Sequence, residues 1–175
     1  MNFCSYCGKT LEEIFLSGRE RMVCPDVKCG FVNWNNPIPV VAAIVECDDS
    51  VLLVRNVGWP ESWYGLVTGF VESGEMPEEA VLREVKEEIG LEAHLESFIG
   101  MYEFYRKNEL IIAYHVTVDS ANYSLDRNEV ADAKWVGVEK VEPWDAGTGM
   151  ALRDWLKTRG QDKRLVDIGV ANSGE

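Results

Sequence analysis

The chain has 175 residues, 46% of them hydrophobic and 27% charged, with a formal net charge of −13. That length allows one substantial core with a small appendage, and the acidic excess argues against nucleic acid or an anionic lipid surface as a nonspecific partner, since either would need a basic face. No apolar run approaches the ~20 residues that span a bilayer and the N-terminus shows no charged-then-apolar leader, so the expected compartment is the cytoplasm, with no membrane partner.

The chain opens on cysteines. Cys4 and Cys7 form a C-x-x-C pair, Cys24 and Cys29 a second pair with four residues between, and Cys47 stands apart at the end of an apolar run. Two short-spaced thiol pairs with a possible hairpin from Ile14 to Val23 between them have spacing close to that of a zinc ribbon, occupying residues 1–34. Two disulfides are the other reading, and the lack of a secretory leader favours zinc as a structural ion. In so short a segment metal binding would supply much of the folding free energy, of order ~10 kcal/mol in small zinc peptides. Four cations here (Lys9, Arg19, Arg21, Lys28) are balanced by Glu12, Glu13, Glu20 and Asp26, so no basic patch marks a nucleic-acid module.

A larger domain, residues 35–160, opens on a short stiff link that contains Asn35-Asn36-Pro37 and Pro39. Pro39 to Val45 and Val51 to Val54 read as paired strands around the turn Asp48-Asp49-Ser50. A loop from Asn56 to Tyr64 carries Trp59, Pro60 and Trp63, and Gly65 to Phe70 is a third strand. Further strands are expected within Ala93 to Tyr105, Leu110 to Val118 and Ala133 to Val138, with a closing amphipathic helix from Met150 to Lys157. Residues 161–175 are polar and terminal, and a flexible tail is expected there. His94 and His115 lie in strands without an adjacent nucleophile, which argues against Ser/His/Asp or Cys/His chemistry. Gly147-Thr148-Gly149 lacks the lysine of a phosphate-binding loop and reads as a turn.

Carboxylates concentrate between the third and fourth strands, in Gly69 to Leu91. Pro77 suits the first turn of a helix, Glu78 and Glu79 its positive end, and Gly90 its stop. At about 100° per residue, Val81, Leu82, Val85 and Ile89 share one arc, while Glu84, Glu87 and Glu88 share a neighbouring one. Three like charges at i, i+3 and i+4 repel one another, and a divalent cation with oxygen preference, Mg²⁺ or Mn²⁺, is the natural offset. Arg83 could orient one of these glutamates. A solvated acidic face is the alternative.

The spacing then becomes specific. Gly69, five residues, Glu75, seven residues, and Arg83-Glu84-Val85-Lys86-Glu87-Glu88-Ile89-Gly90-Leu91 resembles an unbroken Nudix box. Seven fixed positions at ~6–7% each arise by chance in roughly one window in a hundred million. With the cysteine ribbon ahead of the box, the order over roughly residues 1–140 resembles the NADH pyrophosphatase branch of the Nudix family. The resemblance implies an α/β fold, a mixed-sheet α/β/α sandwich preceded by a small zinc ribbon, and a hydrolase of the diphosphate linkage in a nucleoside diphosphate derivative. It also implies roles. Glu84, Glu87 and Glu88, with the Thr68 carbonyl, would hold Mg²⁺ or Mn²⁺; Glu129 would be a further acidic ligand or base; Glu75 would support the loop; Phe70 and Trp34 would stack on an adenine, with Tyr105 shaping the pocket for the other half. A homodimer is implied as well. The stretch that follows the box in NADH pyrophosphatases is replaced here by Gly100-Met101-Tyr102-Glu103-Phe104-Tyr105, so NADH, FAD and ADP-ribose all stand as expected substrates. A non-catalytic Nudix-like sensor or ribbon-based regulator is the competing function, but it could dispense with glutamates that this chain keeps.

Overall fold

The computed structural model describes residues 2–167 and divides into two compact units, Met1–Pro37 and Ile38–Glu175. In the first, β1 (Glu12–Leu16) and β2 (Arg19–Val23) form an antiparallel hairpin two residues longer than expected, and β3 (Val32–Asn33) adds beside β2. Its small apolar centre gathers Cys4, Leu11 and Cys24, with Met22, Cys29 and Phe31 packed against them. Tyr6 meets Phe31 edge-on, with ring centroids 5.0 Å apart.

The second unit is a six-stranded mixed sheet between two helices. Its strands are β4 (Ile38–Cys47), β5 (Ser50–Asn56), β6 (Val67–Phe70), β7 (Ala93–Phe104), β8 (Glu109–Val118) and β9 (Val130–Gly137). They run in the order β7-β8-β4-β5-β9, with β6 paired to β4. Strand β4 alternates its side chains. Val41, Ala43 and Val45 join the core beneath helix α1 (Pro77–Ile89), while Ala42 and Ile44 face α2 (Gly149–Thr158). A strand buried on both faces must be apolar throughout, which is why Pro39 to Val45 reads as a continuous hydrophobic run.

The β4–β5 turn uses Asp48 and Asp49 at φ 46° and 57°, as a two-residue hairpin loop requires. Beyond Glu46↔Val51 the two strands part, and β6 takes the pairing along Val40 to Ala43. On its other side β4 runs parallel to β8 from Ile38↔Glu109 to Glu46↔Thr117. Gly65, expected inside the third strand, instead makes a single bridge to Val54, and the strand proper begins at Val67.

Helix α1 begins at Pro77 and stops at Gly90, which caps it at φ 69°. Its last carbonyls are met from outside. Ser124 N donates to Ile89 O and Asp126 N to Glu88 O, both at 2.9 Å. The chain between β8 and β9 is therefore pinned across the end of α1. Residues at the start of the expected tail make contacts of their own. Lys163 Nζ donates to the carbonyls of Val138, Glu139 and Val141 at 2.8–2.9 Å, and Val166 bridges to Trp144. Three carbonyls around one ammonium hold a segment that composition alone would leave loose. The remainder of that expectation, residues 168–175, lies outside the described residues. No helix among the described residues is long and apolar enough to cross a membrane.

Candidate active site and metal centre

The expected glutamates project from one stretch of α1, but the fold treats them differently. Glu84 and Glu88 are buried, at 9% and 3% exposure, whereas the Glu87 side chain is 60% exposed. Arg83 organises one end of the group. Its Nε donates to Glu75 Oε1 at 2.8 Å, one terminal nitrogen reaches Glu84 Oε1 (2.7 Å) and Glu87 Oε2 (2.9 Å), and the other reaches Phe70 O and Glu75 Oε2 (both 3.0 Å). Glu75 Oε2 also accepts the Glu72 N–H at 3.1 Å, closing the loop that leads into the helix. The Arg83 guanidinium holds the Glu75 carboxyl below the usual range.

Glu84 and Glu88 move the other way. Burial raises Glu84 despite Arg83, with the Glu87 and Glu129 charges adding to it. Burial pushes Glu88 up to about 8, and the carboxylates of Glu84 and Glu129 reinforce the shift. Glu88 Oε2 has no hydrogen-bond partner among the described residues. A buried carboxylate oxygen with nothing to accept from costs free energy, and a cation is the partner that would remove the cost. Gly69 completes the cradle: a Cβ there would lie 1.8 Å from the Glu84 carboxyl carbon, so only glycine lets β6 approach this carboxylate.

Glu129 is exposed at the turn that starts β9, and its charge acts on both buried glutamates. It arrives through backbone alone. Asp126, held to the end of α1, accepts the Glu129 N–H at 3.1 Å, and Glu129 O accepts from Val57 N at 2.8 Å. Thr68, in β6 opposite Ala42, lies beside Glu88, and a hydrogen bond from its backbone offsets part of the upward shift of that carboxyl. The donor set is all oxygen and suits a hard divalent cation. Among the described residues, no three carboxylates are gathered within 4.8 Å as the cysteines are, and one Arg83 nitrogen bridges Glu84 and Glu87.

In the first unit, Cys4, Cys7, Cys24 and Cys29 bring their sulfurs within 4.8 Å of one another. All four are free thiols; Cys4 faces Cys29 and Cys7 faces Cys24, each pair 3.6 Å apart, so the two-disulfide reading does not hold. Desolvation raises the Cys29 thiol, and its three sulfur neighbours add to this. Cys4 is lowered despite its own desolvation, because the backbone amides of Cys7 and Tyr6 hydrogen-bond its sulfur. Four thiolates cannot share this space without a cation, and a closed quartet of sulfurs suits a structural metal ion.

The expected stacking residues are dispersed. Phe70 is 58% exposed on β6 and Tyr105 is 72% exposed in the turn after β7, where it borders a hollow of about 440 Å³ with Met101 and Met150. Trp34 belongs to the first unit, with the Arg21 guanidinium 4.8 Å above its ring. A cleft of about 260 Å³ beside Thr68 was missed from sequence. Trp59, Trp63, Tyr64, Phe104 and Trp144 line it, and three of the chain's six tryptophans in loops were the available signal.

Comparison with known proteins places this geometry. The NUDIX domain family matches residues 36–155. The NAD-capped RNA hydrolase NudC of Pseudomonas aeruginosa is 31% identical over 170 residues, covering 97% of this chain and 55% of that protein. Its namesake in Pseudomonas putida is 26% identical over 169 residues, covering 97% and 56%. The chain thus spans about half the length of the curated relatives it matches. Among solved structures, a NUDIX hydrolase from Nitrosomonas europaea superposes with a TM-score of 0.76 at 21% identity, over 95% of this chain and 97% of that one. An ADP-ribose pyrophosphatase from Streptococcus suis gives 0.59 at 15% identity, over 75% and 98%. Both share the fold.

Proposed function

The chain belongs to the Nudix family of hydrolases, and from that premise we propose that it cleaves the diphosphate linkage of an adenine-containing nucleotide, a dinucleotide such as NADH or FAD, or ADP-ribose, with Mg²⁺ or Mn²⁺. The observation that carries this reading is the buried pair Glu84 and Glu88, with Glu88 Oε2 unpartnered beside Thr68. Glu84, Glu87, Glu88 and the Thr68 carbonyl would hold the cations, which supply charge neutralisation of the diphosphate and a more acidic water. Arg83 fixes Glu84 and Glu87 so that their oxygens are placed before substrate arrives, and Glu75 in turn fixes Arg83. Glu129, exposed at the rim, takes the proton of the attacking water while the bridging P–O bond breaks and the two phosphates leave as separate monoesters. Phe70, exposed one residue beyond the Glu84 cradle, is available to stack on a base.

The test is a turnover panel of NADH, NAD⁺, ADP-ribose, FAD and nucleoside triphosphates with each cation. The Pseudomonas relatives, NAD-capped RNA hydrolases by name, add an NAD-capped RNA oligonucleotide, whose cap contains a diphosphate linkage of the same kind. AMP as one product of a dinucleotide or ADP-ribose is the expected result. A clear preference for triphosphates would overturn the substrate class, and nucleotide binding without turnover would favour the sensor. In the ribbon, one zinc per chain in native mass spectrometry is expected, lost with the hairpin's order on strong chelation. The family resemblance also supports a cytoplasmic homodimer, which light scattering of the purified protein checks for its dimeric part.

A further inference from the structure

The tryptophan-lined cleft lies outside the residues that the box accounts for. Its position is set by Thr68. That residue lines the cleft together with Leu66, which precedes β6 and packs toward α2, while the Thr68 backbone acts on Glu88. One residue therefore separates the catalytic carboxylate from the aromatic wall. The volume, about 260 Å³, falls just below the range of ~300–1,000 Å³ that encloses a whole drug-sized ligand, so the cleft suits one ring system with its sugar rather than a complete dinucleotide.

Two of the indoles are built into this arrangement. At Gly65 an added Cβ would lie 3.2 Å from the Trp59 ring and 4.0 Å from the Trp144 ring, so both converge over the same glycine and a methyl would press on the first. Trp144 is 8% exposed and is held from behind, where Val166 N donates to Pro143 O at 2.8 Å and Asp145 N to Val166 O at 3.2 Å. Trp59 and Trp63 are 37% and 38% exposed. Large apolar rings left this open to water carry a hydration cost that a flat ligand would relieve by covering them. Lys107, Glu109 and Thr148 at the rim offer donors and acceptors to the edge of such a ligand.

We propose that this cleft takes the nucleobase of the substrate, with Trp59 and Trp144 as its stacking walls and the segment around Val166 as the strap that positions Trp144. The proposal rests on the hydrolase reading for its placement of the diphosphate, yet it is separable from it. Free nucleosides carry no phosphate, so their binding in EDTA reads the cleft alone, without repulsion from Glu84 and Glu88. Adenosine, guanosine, cytidine, uridine and nicotinamide riboside are titrated against full-length protein by tryptophan fluorescence quenching. Saturable quenching by at least one is expected, weakened about 5- to 100-fold in Trp59→Leu and retained in Glu88→Gln. Trp59→Tyr should recover most of the affinity, because a flat ring remains, which a merely structural role would not predict. For any hydrolysed nucleotide, Trp59→Leu should raise KM by a similar factor with kcat nearly kept. Quenching by no nucleoside, or equal affinity in Trp59→Leu, would overturn the proposal. Nucleoside quenching in a protein that hydrolyses nothing would sink the hydrolase reading and leave the cleft assignment standing.

Discussion

Glu46 and Glu88 are both buried carboxylates, at 8% and 3% exposure, on opposite faces of the same sheet. Glu46, on the α2 side, is satisfied on both oxygens. His115 Nε2 lies 2.7 Å from Oε2, and the Arg159 guanidinium donates to Oε1 at 2.5 Å. The aromatic face of Trp155 backs both partners, with centroid distances of 5.3 Å to His115 and 4.7 Å to Arg159. Glu88, on the α1 side, meets the carboxylates of Glu84 and Glu129 and the Thr68 backbone, and its Oε2 has no partner among the described residues. A fold that can pair a buried carboxylate so fully at one site leaves another unpaired where charge must be met by something that binds. Glu84 stands between the two, with one oxygen given to Arg83 and its acidity still lowered by burial.

The largest effect follows from breaking the unpaired member. Glu88→Gln should keep the fold and lower kcat by about three orders of magnitude or more, if Glu88 holds the cation that stabilises the leaving phosphate. The same change should stabilise the metal-free protein. The folded-state value of Glu88 is raised from 4.5 to about 8, so its contribution to stability is fully present below about 4.5 and is lost as pH rises toward 8. In EDTA, the wild-type melting temperature should therefore fall across that window relative to Glu88→Gln, with the two converging near pH 4.5. Mg²⁺ or Mn²⁺ should raise the wild type at pH 8 and leave the variant nearly unmoved. A chelated variant no more stable than wild type at pH 8 would contradict the comparison.

How much of this contrast was legible depends on how local the signal is. Glu84, Glu87 and Glu88 fall within five residues of one helix, so their crowding can be read from spacing alone. The four cysteines likewise announce themselves by two short intervals. Glu46 could not be read in that way, since its partner Arg159 lies 113 positions away and its other partner, His115, is placed by the parallel register of β4 and β8. The tryptophan cleft has the same difficulty, because Trp59 and Trp144 meet only after β6 wedges beside β4 and the loop before α2 folds back. Burial was the other hidden quantity. The periodicity of α1 assigned Glu87 and Glu88 to one acidic arc, whereas the packed sheet buries Glu88 and leaves Glu87 outside.

The intermediate member of the series gives the second test. Gly69→Ala introduces a Cβ about 1.8 Å from the Glu84 carboxyl carbon, and that carboxylate must move by an ångström or more. Displacement of a ligand by this distance costs about a hundredfold in rate, so kcat should fall by roughly that factor, while Glu88→Gln loses more. Full activity in Gly69→Ala would show that Glu84 is not needed at its observed position.

The smallest effect should come from the paired member, and its character differs. Glu46→Gln removes the charge that His115 and Arg159 share, but the Arg159 side chain is 32% exposed and can turn to water or to Asp49, whose carboxylate lies 3.6 Å from its other terminal nitrogen. The loss is therefore discounted from that of a fully buried pair to about 1–3 kcal/mol of stability. Because Glu46 lies on the α2 side, away from the cradle of Glu84 and Glu88, kcat and KM should stay at wild-type values at temperatures where the variant is folded. Urea unfolding followed by far-ultraviolet circular dichroism gives the first quantity, and steady-state turnover of the preferred nucleotide gives the second. If Glu46→Gln lowered kcat as Glu88→Gln does while remaining folded, the division between a carboxylate kept for structure and one kept for chemistry would fail.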